Sequence, residues 1–186
     1  MFKNKNVTLP NLLTLMSATC GLLGLMFISQ KAFVLAILIL VFCDIFDSLD
    51  GYVAKKFKMY SPIGQDLDSL VDAIVFLVPP FFFLLQYESL LLSLSSLLLV
   101  FSGLYRLARY NVEPSVPGKV KGLIASQPSH YIYLAILLGA NAPLLTAICL
   151  VSTVLMVLPF YSPAKYTNWA SQLMIAVNLS LAFFQL

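Results

Sequence analysis

Apolar residues run through this chain in seven long stretches, at about 9–28, 32–57, 64–86, 88–110, 126–140, 142–160 and 167–186. A bilayer core of about 30 Å takes roughly 20 helical residues to cross, and most of these runs are that long. Strands of a membrane barrel would instead alternate apolar and polar residues over about 10 positions, and these runs do not alternate. Charged residues make up only 10% of the chain, against 60% apolar. Soluble domains carry about 25% charge, so there is too little to cover a water-facing surface. Disorder needs low hydrophobicity and high charge and is excluded for the same reason. The expected fold is all-α: a polytopic transmembrane helix bundle of about six or seven spans, forming one domain over 1–186. The second stretch is apolar only as far as Cys43. The fifth is short, and Asn141-Ala142-Pro143 divides it from the sixth, so these two read as tilted spans or as a re-entrant pair.

The formal net charge is +3, too mild for a nucleic-acid partner. Cys20, Cys43 and Cys149 all lie inside apolar runs, where cysteine acts as a small hydrophobe. Their odd number and spacing give neither a disulfide framework nor a zinc site. The first stretch is too long, and lacks the small-residue cleavage site, for a signal peptide; it reads as a retained span. With the start of the chain in the cytoplasm and seven alternating spans, Lys3, Lys5, Lys55, Lys56, Lys58, Arg106, Arg109, Lys119, Lys121 and Lys165 fall on the cytoplasmic side. Only Lys31 falls outside. That distribution is what the positive-inside bias expects.

Six of the eight acidic residues are aspartates between positions 44 and 72: Asp44, Asp47, Asp50, Asp66, Asp68 and Asp72. Ionisable groups at membrane depth are costly and mark function. Asp47, Asp50 and Ala54 share one helical face, and Asp68 and Asp72 share another. The loop from Lys55 to Ile63 is short, so the two helices are antiparallel neighbours and their carboxylates converge. Unpaired, those carboxylates would repel strongly. Divalent cations resolve the conflict, and an all-oxygen donor set favours Mg²⁺, Mn²⁺ or Ca²⁺ over zinc. Gly51, Ala54 and Gly64 lie beside the carboxylates and leave room for a phosphate or nucleotide at the helix backbone. Lys55, Lys56 and Lys58 add a phosphate-binding group. Carboxylates and lysines together suit a metal-bound diphosphate better than a simple cation path.

Residues 47–72 read DSLDGYVAKKFKMYSPIGQDLDSLVD. This resembles the signature of the CDP-alcohol phosphatidyltransferases, D-x2-D-G-x2-A-R-x8-G-x3-D-x3-D, with all four Asp, both Gly and the Ala in register. Lys55 stands where the family usually has Arg, which keeps the charge but loses the planar donor fork. Leu9-Pro10-Asn11-Leu12-Leu13-Thr14 is similar to the start of the family's first helix. Three further stretches resemble the phosphatidylserine-making branch of the family: Arg106-Leu107-Ala108-Arg109-Tyr110-Asn111, Lys121-Gly122-Leu123, and Leu155-Met156-Val157 with Tyr161-Ser162. Ile124 and Leu158 depart from that branch's pattern.

The resemblance implies a helical bundle, usually a homodimer, in the cytoplasmic membrane among its lipids, with a polar cavity open to the cytoplasmic side. Asp47, Asp50, Asp68 and Asp72 would hold two divalent cations, Mg²⁺ or Mn²⁺, that bind the diphosphate of a CDP-linked lipid. Gly51, Lys55 and Ser61 match positions that contact the CDP part, and Asn11 lines the same pocket. Asp72 would be the general base for a small polar alcohol, in this branch L-serine, and CMP would leave. A serine carboxylate or lipid phosphate needs a cation, and Arg106 and Arg109, at i and i+3, are the planar partners available.

The remaining residues have plainer expectations. Asp44 and Asp66 lie off the signature and read as supporting or surface groups. Lys56 and Lys58 read as headgroup anchors, His130 as a helix-start or interfacial residue, and Phe81, Phe82 and Phe83 as packing or lipid-facing. Trp169 reads as an interfacial belt residue, and Pro79-Pro80 as a kink in the third span. Another acceptor, glycerol phosphate or inositol phosphate, is the nearest alternative function. A membrane prenyltransferase would need a second, distant Asp motif. A cation transporter would need polar groups along a path, and spans four to seven have almost none.

Overall fold

The computed structural model describes residues 8–113 and 116–186. Lys3 and Lys5, two of the basic residues counted above, lie outside the described residues. The chain forms helices α1 (Leu9–Ser29), α2 (Phe33–Phe57), α3 (Pro62–Asp72), α4 (Val78–Leu85), α5 (Leu90–Val112), α6 (Ser126–Leu137), α7 (Ala142–Val157) and α8 (Ala164–Gln185). Two three-residue strands, β1 (Lys119–Lys121) and β2 (Tyr161–Pro163), complete it. A π-helical turn, Ala73–Leu77, joins α3 to α4. It stands just before Pro79-Pro80, whose rings would clash with carbonyls one turn back and which lack N–H donors. The wider turn absorbs both problems, so the segment stays helical from Pro62 to Leu85 through a π turn placed just before the two prolines.

Local chemistry sets the helix ends. Thr8 caps α1, its side chain accepting the Asn11 N–H at 3.4 Å. Ser61 caps α3 by accepting the Gly64 N–H at 3.0 Å, and Asn141 caps α7 through Leu144 at 3.2 Å. Each satisfies one of the orphan donors of a first turn. Lys58 closes α2 with a left-handed φ of 54°, and Lys55 and Lys56 in the last turn complement the helix dipole.

Three helices are long and apolar enough to cross a membrane: Leu9–Ser29, Ile63–Leu85 and Leu90–Val112. Helix α2 has the length but carries Asp44, Asp47 and Asp50. With 12 residues, α6 is about 18 Å long, shorter than a bilayer core. The segment before it runs instead along the end of α7, with Gly122 N–H to Phe160 O at 2.8 Å and Leu123 N–H to Leu155 O at 3.1 Å. The last helix starts at Ala164, three residues before the expected 167, because β2 leads directly into it.

Two apolar clusters hold the bundle. One gathers Ile37, Leu40 and Val41 of α2, Val75 of the π turn, Phe83 of α4 and Tyr133 of α6. The other gathers Leu99 and Leu107 of α5, Leu145, Cys149 and Met156 of α7, and Ile132 of α6. Outside them, Leu22, Leu94, Phe101, Val151 and Phe184 are exposed, an apolar perimeter suited to lipid. Trp169 and Tyr166 are exposed near the start of α8, as an interfacial belt requires. Phe83 is buried and Phe82 faces outward.

One end of the bundle collects the end of α2, the start of α3, the ends of α5 and α7, and the antiparallel β1–β2 pair, in which Lys119 faces Pro163 and Lys121 faces Tyr161. Eight of the nine described basic residues belong to this end, and Lys31 turns at the opposite one.

Candidate active site

The carboxylates of Asp47, Asp50 and Asp68 converge, each offering one oxygen within 4.8 Å of the others. The spacing explains it: three residues on α2, four on α3, and a short turn at Lys58–Ser61 that folds one helix back beside the other. Asp72 sits behind this group, beside Asp47 and near Arg106. Its Oδ1 is buried and has no hydrogen-bond partner among the described residues. Asp50 is held from the first helix: Thr14 Oγ1 lies 2.5 Å from Asp50 Oδ2 and 3.0 Å from the Pro10 carbonyl.

Among the described residues the Lys121–Glu113 ion pair, at 2.7 Å, and the contact of His130 Nε2 with Asp44 are the side-chain contacts of this kind; neither neutralises the four signature aspartates. Four carboxylates gathered in a partly dry setting repel one another, and cations bound among them would relieve that. Their donor atoms are all oxygen, as Mg²⁺ or Mn²⁺ prefers. The residues present therefore fit a divalent metal centre.

Above Asp50 and Asp68 opens a cavity of about 770 Å³. Asn11, Thr14, Gly51, Ala54, Ser61 and Gly64 line one wall, and Arg106, Arg109, Tyr110 and Asn111 another; Lys119, Lys121 and Tyr161 stand at the rim. The two glycines serve different ends. A methyl at Gly64 would meet Asn11 Oδ1 at 2.8 Å and Ser61 Oγ at 2.9 Å, whereas one at Gly51 would meet nothing within 4 Å. Gly64 permits close packing of α3 on α1, and Gly51 leaves the cavity open. Lys55 is exposed and stands outside the cavity wall, while Asp47 and Asp72 lie beneath the floor.

The two arginines separate in role. Arg109 donates from Nη1 to the Val157 carbonyl at 2.9 Å and from Nη2 to the Met156 carbonyl at 3.1 Å, occupying orphan acceptors at the end of α7. Arg106 is buried, stacks 5.4 Å from the Tyr110 ring centroid and makes no such backbone bonds among the described residues.

Two open expectations are narrowed. Of the helix-start and interfacial readings of His130, the first holds: it lies in the first turns of α6, 1% exposed, and its Nε2 meets Asp44 Oδ2. Of the supporting and surface readings of Asp44, burial at 4% exposure excludes the surface one. Thr14, Lys119, Lys121 and Tyr161 are among the cavity residues to which the sequence reading gives no site role. Thr14 follows Asn11 by three positions on α1, a spacing that could have placed both on the same wall. The strands carrying the other three are too short to show a periodicity.

A sequence profile of the CDP-alcohol phosphatidyltransferase family matches residues 7–184. The chain is 31% identical over 191 residues to a CDP-diacylglycerol–serine O-phosphatidyltransferase of Methanocaldococcus jannaschii, covering 96% of this chain and 84% of the relative. It is 30% identical over 189 residues to the Helicobacter pylori protein of that name, covering 93% and 79%. An archaetidylserine synthase of Methanothermobacter thermautotrophicus is 32% identical over 124 residues, covering 60% and 52%.

Proposed function

The chain belongs to the CDP-alcohol phosphatidyltransferase family, and from that membership we propose that it transfers the phosphatidyl group of a CDP-linked lipid to the hydroxyl of L-serine, releasing CMP. The serine oxygen attacks the phosphorus that bears the lipid, the bond from that phosphorus to the CMP oxygen breaks, and the hydroxyl proton goes to a carboxylate. Relatives named for serine transfer support the acceptor. The observation that carries the reading is the convergence of Asp47, Asp50 and Asp68 within 4.8 Å, two of which, Asp50 and Asp68, line a cavity whose wall is opened by Gly51.

Asp47, Asp50, Asp68 and Asp72 would hold the cations. Bound there, two divalent ions would neutralise the diphosphate and the charge developing on departing CMP. Everything else falls to side chains. Thr14 orients Asp50. Asn11, Gly51 and Ser61 border the space for the CDP part. Asp72 is the proton acceptor, supported by its unpartnered Oδ1. Arg106 offers a guanidinium to the serine carboxylate or the lipid phosphate, and its burial strengthens such a pairing. Lys119 and Lys121 add positive charge at the rim.

The same reading places the site at the cytoplasmic face of the cell membrane, supported by the basic residues gathered at the cavity end, and takes the functional unit to be a homodimer. The deciding experiment supplies purified protein with CDP-diacylglycerol, Mn²⁺ or Mg²⁺, and labelled serine, and follows CMP release. Serine-dependent CMP supports the proposal. CMP release that responds to glycerol phosphate or inositol phosphate and not to serine would reassign the acceptor.

A further inference from the structure

Asp44 and His130 are the most deeply buried charged-group contact in the molecule among the described residues, at 4% and 1% exposure. The reaction as derived uses neither. Asp44 nonetheless continues the carboxylate series of α2. Along Asp44, Asp47 and Asp50 each three-residue step falls about 60° short of a full turn, so the series winds around the helix. Asp50 meets Thr14 of α1, Asp47 lies against Asp72 of α3, and Asp44 meets His130 of α6.

The histidine is itself held. Its backbone carbonyl accepts from Asn178 Nδ2 of α8 at 3.3 Å, and its ring stands edge-on to Tyr133 with centroids 6.5 Å apart. Three helices thus meet at one polar node beneath the aspartate cluster. A carboxylate this dry, with no partner, is strongly disfavoured. Without His130, the remedy closest to hand for Asp44 is the cations bound one helical turn away.

We propose that His130 is a positioning residue that holds Asp44 out of the metal centre, so that four aspartates and not five compete for the cations. The inference rests on the reading of the signature aspartates as metal ligands. Loss of His130 frees Asp44 to swing toward the cluster and rotate α2 against α3. Removing the charge of Asp44 removes that drive.

The test measures Mn²⁺ binding to purified full-length protein by the loss of the free-ion paramagnetic resonance signal, beside the Mn²⁺ needed for half-maximal CMP release. In His130→Ala both constants should rise about tenfold, the usual effect of removing an outer partner of a metal site. In Asp44→Asn/His130→Ala both should return to within about threefold of the parent protein, below the range such a loss produces. A double variant as impaired as His130→Ala, or a folded His130→Ala with unchanged Mn²⁺ binding, overturns the proposal. If His130→Ala does not accumulate, Asp44→Asn alone decides. Binding within about threefold of the parent supports the proposal, and a loss as large as that of Asp47→Asn makes Asp44 a ligand and ends it. Unchanged Mn²⁺ binding in Asp47→Asn would instead remove the metal-centre reading itself.

Discussion

Thr14 and Asp50 join the first helix to the second across 36 positions of sequence, hydroxyl to carboxylate at 2.5 Å, with both side chains buried. The threonine spends its proton on a group that would otherwise be an unpaired acceptor at membrane depth. It also fixes which oxygen of Asp50 faces the cavity. Thr14→Val keeps the shape and deletes the donor, and should raise the Mn²⁺ needed for half-maximal CMP release about tenfold. Thr14→Ser should stay near the parent. A Val variant with an unshifted Mn²⁺ curve would show that Asp50 needs no orienting.

Gly51 and Gly64 both belong to the family signature, yet the structure gives them opposite sensitivities. Gly64→Ala pushes a methyl against Asn11 and Ser61 and should lower stability by about 1–3 kcal/mol, as overpacking does. Gly51→Ala meets open space, so its thermal unfolding should match the parent while the KM for the CDP-lipid rises. Melting curves and lipid-saturation kinetics on the same two preparations check this, and an unfolded Gly51→Ala would contradict it.

Arg106 and Arg109 also divide. Arg109→Ala strips two carbonyls at the end of α7 of a charged donor, and should cost about 1.5–3 kcal/mol of stability while affecting both substrates. Arg106→Ala should leave the fold largely intact and raise the KM of whichever substrate supplies the anion. If Arg109→Ala melts like the parent and changes only the serine constant, the assignments of the two arginines are exchanged.

Asp68→Asn keeps the volume of a ligand and removes its charge. Metal-dependent CMP release should fall by about 100-fold or more, the upper end of what losing even an outer partner costs, with no change in helix content by circular dichroism. Full turnover in this variant would rule out the four-aspartate site.

Much of this was legible from local pattern. Apolar runs located the helices to within a few residues, because a span is a local property of composition. The four aspartates could be brought together on paper because each pair shares one helical face and a nine-residue loop separates the helices. What stayed hidden depends on distant partners. Nothing around His130 announces that α6 packs on α2 at Asp44, 86 positions away. Lys119 and Lys121 counted as cytoplasmic charges with no site role, because strands of three residues pair only once β2 arrives, some 40 positions later. Arg109 looked like Arg106 because its partners are backbone carbonyls, which no side-chain spacing reveals.

Anomalous diffraction from crystals soaked in Mn²⁺ tests the central claim most directly. The structure predicts Mn²⁺ density among the carboxylates of Asp47, Asp50, Asp68 and Asp72, with Asp44 still turned toward His130. Those aspartates splayed apart with no anomalous peak between them would contradict it.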